Sequence, residues 1–369
     1  MPSVRSFEVG DVDAVADLFQ RLLRKSAQPA GDDLKTYLRA LFLDLTDRDP
    51  DIRSRVHVRD DGSVSGFIGV LPVQMEFEGR PVRAANCGTF ACDDRESDPF
   101  AGARLLRDVL SGPQDFSFTE TSNDVSTDMW RSMRATVLGP YSLEWLRVLR
   151  PAAFALEAAA GRMSALRLFT PVVKAADALI ARRGGKSSWI SYTPLAGKAD
   201  AFADVAVDDE EFATLSQSFL AQYPLHPAWD NATLVAMLQH AKRKALHGER
   251  VQHAVKSRTG KAIGLYLYYG NPGGIGRTVQ ILAAPGQESV VIDCLLRNAR
   301  ERGLVAMRGR TQPILLNAMI GKKCTFLHAS STVVHSRNPD LLAAMTNGHA
   351  FLNGLAGEGW TRLIGDRFG

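Results

Sequence analysis

Cysteine is scarce in this sequence, and what there is shows no pattern. Cys87, Cys92, Cys294 and Cys324 have no CxxC spacing and sit in apolar strand or helix contexts. They read as reduced core residues of a cytosolic protein, not as a disulfide framework, metal site or redox centre. No window approaches about 18 uncharged apolar residues, so no segment is expected to span a membrane. The opening MPSVRSFEVGDVDAV has acidic residues where a signal peptide needs an apolar run. An excess of one charge is lacking too. Lys and Arg number 44 against 40 Asp and Glu, leaving +4, interspersed and too weak to argue for nucleic acid. The eight histidines are scattered, and no Ser/His/Asp or metal-ligand cluster stands out.

What is present is a chain of 369 residues with 45% hydrophobic and 23% charged residues, long enough for two domains, each with its own core. Val4 to Val9 reads as a strand. Asp11 to Arg24 carries an apolar stripe at Val12, Val15, Leu18, Phe19 and Leu22, the spacing of a helix, and Asp33 to Leu45 repeats it. A β-meander follows: Val56 onward, a turn at Asp60 to Gly62, Val64 to Met75, a turn at Glu78 to Arg80, then Val82 to Cys92. A helix opening near Pro99, a strand from Phe116 to Thr121, a second helix and another strand close the first part, residues 1–150.

Residues 151–200 differ in character, being Ala-rich, helical and the most basic part of the chain, with seven Lys and Arg against three Asp and Glu. They read as a helical linker. A basic helix of this kind is also the type that lies on an anionic membrane surface, here through 151–183. Residues 201–369 then repeat the first part. Asp208 to Ala221 and Asn231 to Leu246 read as helices, and Val251 to Ser257, Ile263 to Tyr269 and Arg277 to Ala283 as a meander. A helix from Gln287 to Arg300, a strand from Val305 to Arg308, a polar turn and a strand from Thr332 to Ser336 complete it. Gly62-x-x-x-Gly66 entering a strand is matched by Gly260-x-x-x-Gly264, and the shared order of elements indicates duplication.

The first part contains a strand–turn–helix in which Ala101, Gly102 and Ala103 sit at a helix start, a seat for a pyrophosphate. Asn123 follows the next strand, with Trp130 seven residues on and Arg134 four further. That order and spacing resemble the GNAT superfamily of N-acetyltransferases. The resemblance implies an α/β fold of two tandem GNAT-like domains, each a mixed, mostly antiparallel sheet flanked by helices. It further implies an acyltransferase that uses acetyl-CoA or another acyl-CoA on a small-molecule or saccharide acceptor. The donor would lie on Phe90, Ala91, Cys92, Ala101, Gly102, Ala103, Arg104 and Asn123. Transfer needs a base for the acceptor proton and a donor for the leaving thiolate. Glu120 and Asp93 are the candidate bases. Trp130 stands where the superfamily often has an acidic Tyr, which leaves Tyr141 as the candidate acid. Two other readings share this fold: a Fem-type aminoacyltransferase, and a degenerate scaffold kept for binding, favoured by the loss of the basic residue and first glycine before Ala101.

Overall fold

The computed structural model describes residues 2–45, 49–93, 98–160, 201–244 and 246–368. Most of the expected basic linker, 161–200, therefore lies outside the described residues, as does most of the membrane-facing stretch expected over 151–183.

The chain opens with β1 (Ser3–Ser6), α1 (Val12–Leu22) and α2 (Asp32–Arg39), which runs on through a π-helical turn, Ala40–Asp44. The meander is β2 (Arg55–Val58), β3 (Val64–Phe77) and β4 (Arg80–Cys92). Next come α3 (Ala101–Leu110), β5 (Phe116–Ser122), α4 (Asp124–Ser132), β6 (Thr136–Val137), β7 (Leu143–Val148) and α5 (Pro151–Ala160). From residue 201 on come β8 (Phe202–Ala206), α6 (Asp209–Leu220), β9 (Leu225–Pro227) and α7 (Asn231–Lys242). A second meander, β10 (Glu249–Ser257), β11 (Ala262–Gly270) and β12 (Ile275–Ala283), leads to α8 (Glu288–Glu301) and β13 (Ala306–Arg310). The described chain closes with α9 (Pro313–Gly321), β14 (Thr325–His328), β15 (Ser331–Ser336), α10 (Pro339–Thr346) and a run of turns over 353–365.

Two mixed sheets result, and they have the same order. The first runs β1-β2-β3-β4-β5-β15-β6, with β9 added antiparallel against the end of β3, and the second runs β8-β10-β11-β12-β13-β7-β14. In each, four strands pair antiparallel, one pair is parallel (β4 with β5, β12 with β13), and the last two pairings are antiparallel again. The halves of the sequence do not each keep their own strands. β7, from residues 1–150, lies between β13 and β14 in the second sheet. β15, from the second half, lies between β5 and β6 in the first.

The repeated Gly-x-x-x-Gly has one physical explanation in both places. Gly62 (φ 84°) and Gly260 (φ 80°) turn the hairpins through the left-handed region that glycine alone enters without cost. Gly66 and Gly264 let a helix close on the strand. A methyl on Gly66 would stand 2.7 Å from Leu105 of α3, and one on Gly264 would overlap Val291 of α8.

One apolar core joins the halves. It takes Phe7, Leu18 and Phe67 from the first, Phe219, Trp229 and Leu282 from the second, and Phe351 and Leu355 from the C-terminal segment. The polar turn expected between Arg308 and Thr332 is instead α9 and β14. The sequence Pro-Ile-Leu-Leu-Asn-Ala-Met-Ile-Gly is apolar nearly all round, so no polar face marks a helical period, though Pro313 at the first turn suits a helix start.

Candidate functional site

β4 and β5 pair only from Ala84–Phe116 to Asn86–Phe118, and then diverge. The divergence coincides with a bulge in β4. Gly69 faces Gly88 and Phe67 faces Ala91, so Thr89 and Phe90 together oppose Ile68. Thr89 takes φ 52°, a rare conformation for a β-branched residue and the kind of strain that collects at functional sites. Between the splayed strands opens a cleft of about 270 Å³. Its walls are Phe19, Leu23 and Arg24 of α1 and its C-terminal turn, Cys87 to Phe90 of β4, Thr119, Thr121 and Ser122 of β5, Asn123, Ser126 and Trp130 at α4, and Leu363 to Gly365. Arg24 holds the Leu363 carbonyl through Nη2 at 2.9 Å, while its buried Nε makes no hydrogen bond among the described residues. Burial lowers the pKa of that guanidinium.

The C-terminal segment enters the base of this cleft. Glu358 lies against β4 and β5: Thr119 and Thr121 donate their hydroxyls to its Oε1 at 3.3 and 3.1 Å. A methyl on Gly88 would overlap its carboxylate. Beside it, the carboxylate of Glu120 accepts the backbone N–H groups of Gly354 (3.1 Å), Glu358 (2.6 Å) and Gly359 (2.6 Å). Burial raises the pKa of Glu120, against the opposing pull of Arg310 and those three N–H groups. Burial first, and the neighbouring Glu120 second, push Glu358 up to about 8. The segment also meets the equivalent divergence in the second sheet, where β12 and β13 stop pairing after Thr278–Gly309. There Gln280 accepts from Leu355 N at 3.1 Å, and Asn353 donates to the Thr311 carbonyl at 2.9 Å. A second cavity, about 230 Å³ and largely apolar, borders the same segment at Leu355 to Gly357 and is walled by Leu71, Val73, Trp229, Met237 and Trp360.

The structure brings together some of the residues expected from sequence and separates others. Phe90 and Asn123 line the cleft, and Asn123 also caps α4 by accepting from Ser126 N at 2.9 Å. Ala91 is turned into the core beside Phe67, and the half-buried Cys92 directs its thiol at the Asp93 carbonyl. Ala101 and Gly102 are buried at the start of α3, and a methyl on Gly102 would lie 3.1 Å from Met129 and 3.5 Å from the Phe90 ring. Ala103 is half-buried beside them. Arg104 is engaged by Asp98 and by His57 Nε2 at 3.1 Å, and Asp98 also accepts from Phe100 N at 3.3 Å. A carboxylate therefore shares the helix start with the proposed pyrophosphate seat.

The three expected catalytic residues do not line the cleft. Asp93 pairs with Arg21 at 2.6 Å and with Arg59 at 3.7 Å, past the end of β4. Tyr141 is 1% exposed and donates its hydroxyl to the Ala350 carbonyl at 2.7 Å; burial raises its pKa. Glu120 is equally buried and faces the C-terminal segment, because alternation along β5 turns it away from the side on which Thr119 and Thr121 stand. Sequence reasoning missed Gly88, Thr89, Thr119, Thr121 and Glu358. Only Gly88 carried a signal, since a glycine inside a strand pattern marks a bulge or a close approach.

Two splayed parallel pairs, each following an antiparallel meander, define the class: mixed-sheet α/β proteins whose central strands part beside a helix start. No known protein family and no curated protein matches the sequence. Solved structures do match. A conserved protein of unknown function from Enterococcus faecalis V583, described as a probable N-acyltransferase, superposes with TM-score 0.59 at 11% identity, over 91% of this chain and 73% of that one. A GCN5-related N-acetyltransferase from Anabaena variabilis gives 0.57 at 10% identity, over 92% and 74%. Another from Kribbella flavida gives 0.53 at 11%, over 91% and 71%. The chain has the GNAT fold. Among the described residues no helix is long and apolar enough to cross a membrane.

Proposed function

We propose that this protein is an acyl-CoA-dependent acyltransferase and that the donor site is the cleft between β4 and β5. The observation that carries the reading is the bulged, diverging β4. It takes Thr89 and Phe90 out of the ladder beside an open cleft, where a backbone N–H is free to meet a thioester oxygen as negative charge develops on it. The cleft suits a long, partly anionic donor in two further ways. Arg24 presents a buried N–H without a partner among the described residues, and α3, which lies outside the cleft lining but packs Gly102 against Phe90, begins at residues with almost no side chain, a start suited to a phosphate. Asp98 weighs against tight phosphate binding there, and Arg104 partly offsets it. Bound acyl-CoA supplies the activated acyl group. The chain's own residues orient it, exclude water and handle the proton.

The second sheet's divergence is closed by Gln280, Asn353 and Leu355, so the reading assigns one donor site per chain, in the first sheet. The acceptor is a small amine, alcohol or saccharide. A calorimetric titration with acetyl-CoA and octanoyl-CoA tests this, and one saturable site per chain is the expected result. No heat with either donor would favour a scaffold that keeps the fold for binding something else.

A further inference from the structure

We propose that Glu358 is the proton-transfer group of the acyl transfer, taking the proton from the acceptor and returning it to the departing sulfur. The inference rests on the donor site proposed above.

Three observations place Glu358 in this role. Its carboxyl stands between the splayed strands, over Gly88 of β4 and beside Thr119 and Thr121 of β5, and both threonines line the cleft. The two hydroxyls hold Oε1, while Oε2 makes no hydrogen bond among the described residues. One oxygen therefore fixes the group and the other is left to exchange a proton. The Glu358 carboxyl is 4% exposed and lines neither cavity itself; it lies one hydrogen bond behind the cleft wall that Thr119 and Thr121 form, and Ala356 and Gly357 just before it wall the second cavity. The charged or titratable groups facing it are Glu120 from β5, Arg310 from β13 and the Cys87 thiol from β4.

The proton balance closes on one residue. The acceptor's nitrogen or oxygen bonds to the acyl carbon, and its proton passes to the Glu358 carboxylate. The carbon–sulfur bond breaks, the electron pair stays on sulfur, and the carboxylic acid protonates that thiolate. Glu358 ends as the carboxylate it began as. A thiol with an ordinary pKa near 8.5 and a carboxyl raised to about 8 are matched for this exchange. Such a group also removes the need for a phenol at Trp130 or Tyr141.

The test is Glu358→Gln, which keeps an oxygen for Thr119 and Thr121 but cannot take a proton. With acetyl-CoA and a panel of primary amines and hexosamines, thiol release should slow by more than about a hundredfold, with acetyl-CoA binding by calorimetry within about threefold of wild type. Wild-type kcat/KM should rise with pH toward a plateau above about 8, and the variant should lose that rise. Should Glu358→Gln fail to fold, Glu358→Asp, with its shorter reach, should transfer more than about tenfold slower while keeping the rise. Wild-type rates or an unchanged pH profile in the Gln variant would overturn the inference and leave the donor site standing. A wild type that binds no acyl-CoA would overturn both.

Discussion

Glu358 and Glu120 lie side by side in the same buried place, and burial raises the pKa of both. Three backbone N–H groups point at Glu120, and donors of that kind favour the charged form. Glu358 has two hydroxyls and a negative neighbour. The raised pKa of Glu358 has a sign in stability as well as in rate. Burial holds the folded-state pKa of Glu358 at about 8, above its ordinary 4.5. The folded protein therefore keeps a proton that the unfolded chain releases, and the stability this confers is complete below about 4.5 and lost as pH rises through about 8. Denaturant unfolding of wild type and Glu358→Gln between pH 4 and 9 should show the wild type losing stability relative to the variant across that window. Parallel curves would mean that Glu358 ionises as an ordinary carboxyl.

At the scale of elements, the meander–helix–strand–helix order was legible because each piece has a clear period: Val12, Val15, Leu18 and Phe19 in α1, and alternation in the meander. The site was legible only where local sequence builds it. Asn123 begins α4 as a cap in the sequence and lines the cleft in space. Trp130, seven residues on, lines the cleft as well but is 1% exposed. Glu358 escaped notice because its place is set by a contact across more than two hundred residues, and nothing in Gly-Glu-Gly foretells it. Glu120 and Tyr141 stand outside the cleft lining, because proximity in sequence says nothing about which face of a strand, or which side of a helical turn, meets the cleft. The start of α3 remains the element most open to test. Gly102→Asp would add a negative charge beside Phe90 and Met129 and should weaken acetyl-CoA binding at least about tenfold, or about 1.4 kcal/mol. Unchanged binding by calorimetry would move the pyrophosphate away from this helix.

At the scale of the whole molecule, the exchange of β7 and β15 makes each sheet depend on the other half of the chain. A fragment of residues 1–150 would carry β7 without β13 or β14, and β5 without β15. It would also lose the part of the shared core given by Phe219, Trp229 and Leu355. Such a fragment should be aggregated or largely unfolded by size-exclusion chromatography and circular dichroism, whereas the full chain should melt in one transition. A monomeric fragment with a cooperative melt would show that the first half is self-sufficient.

The exchange also sets a timetable for synthesis. β5 is made roughly two hundred residues before β15, the strand that covers its edge. At about 5–20 residues per second, that edge waits on the order of 10–40 seconds beside the ribosome. Through that interval it presents unpaired backbone groups on a strand whose Phe116 and Phe118 belong in a core, a template for pairing with another nascent chain. The yield of folded protein in a cell should therefore depend on translation speed between the two strands and on whatever shelters β5 meanwhile.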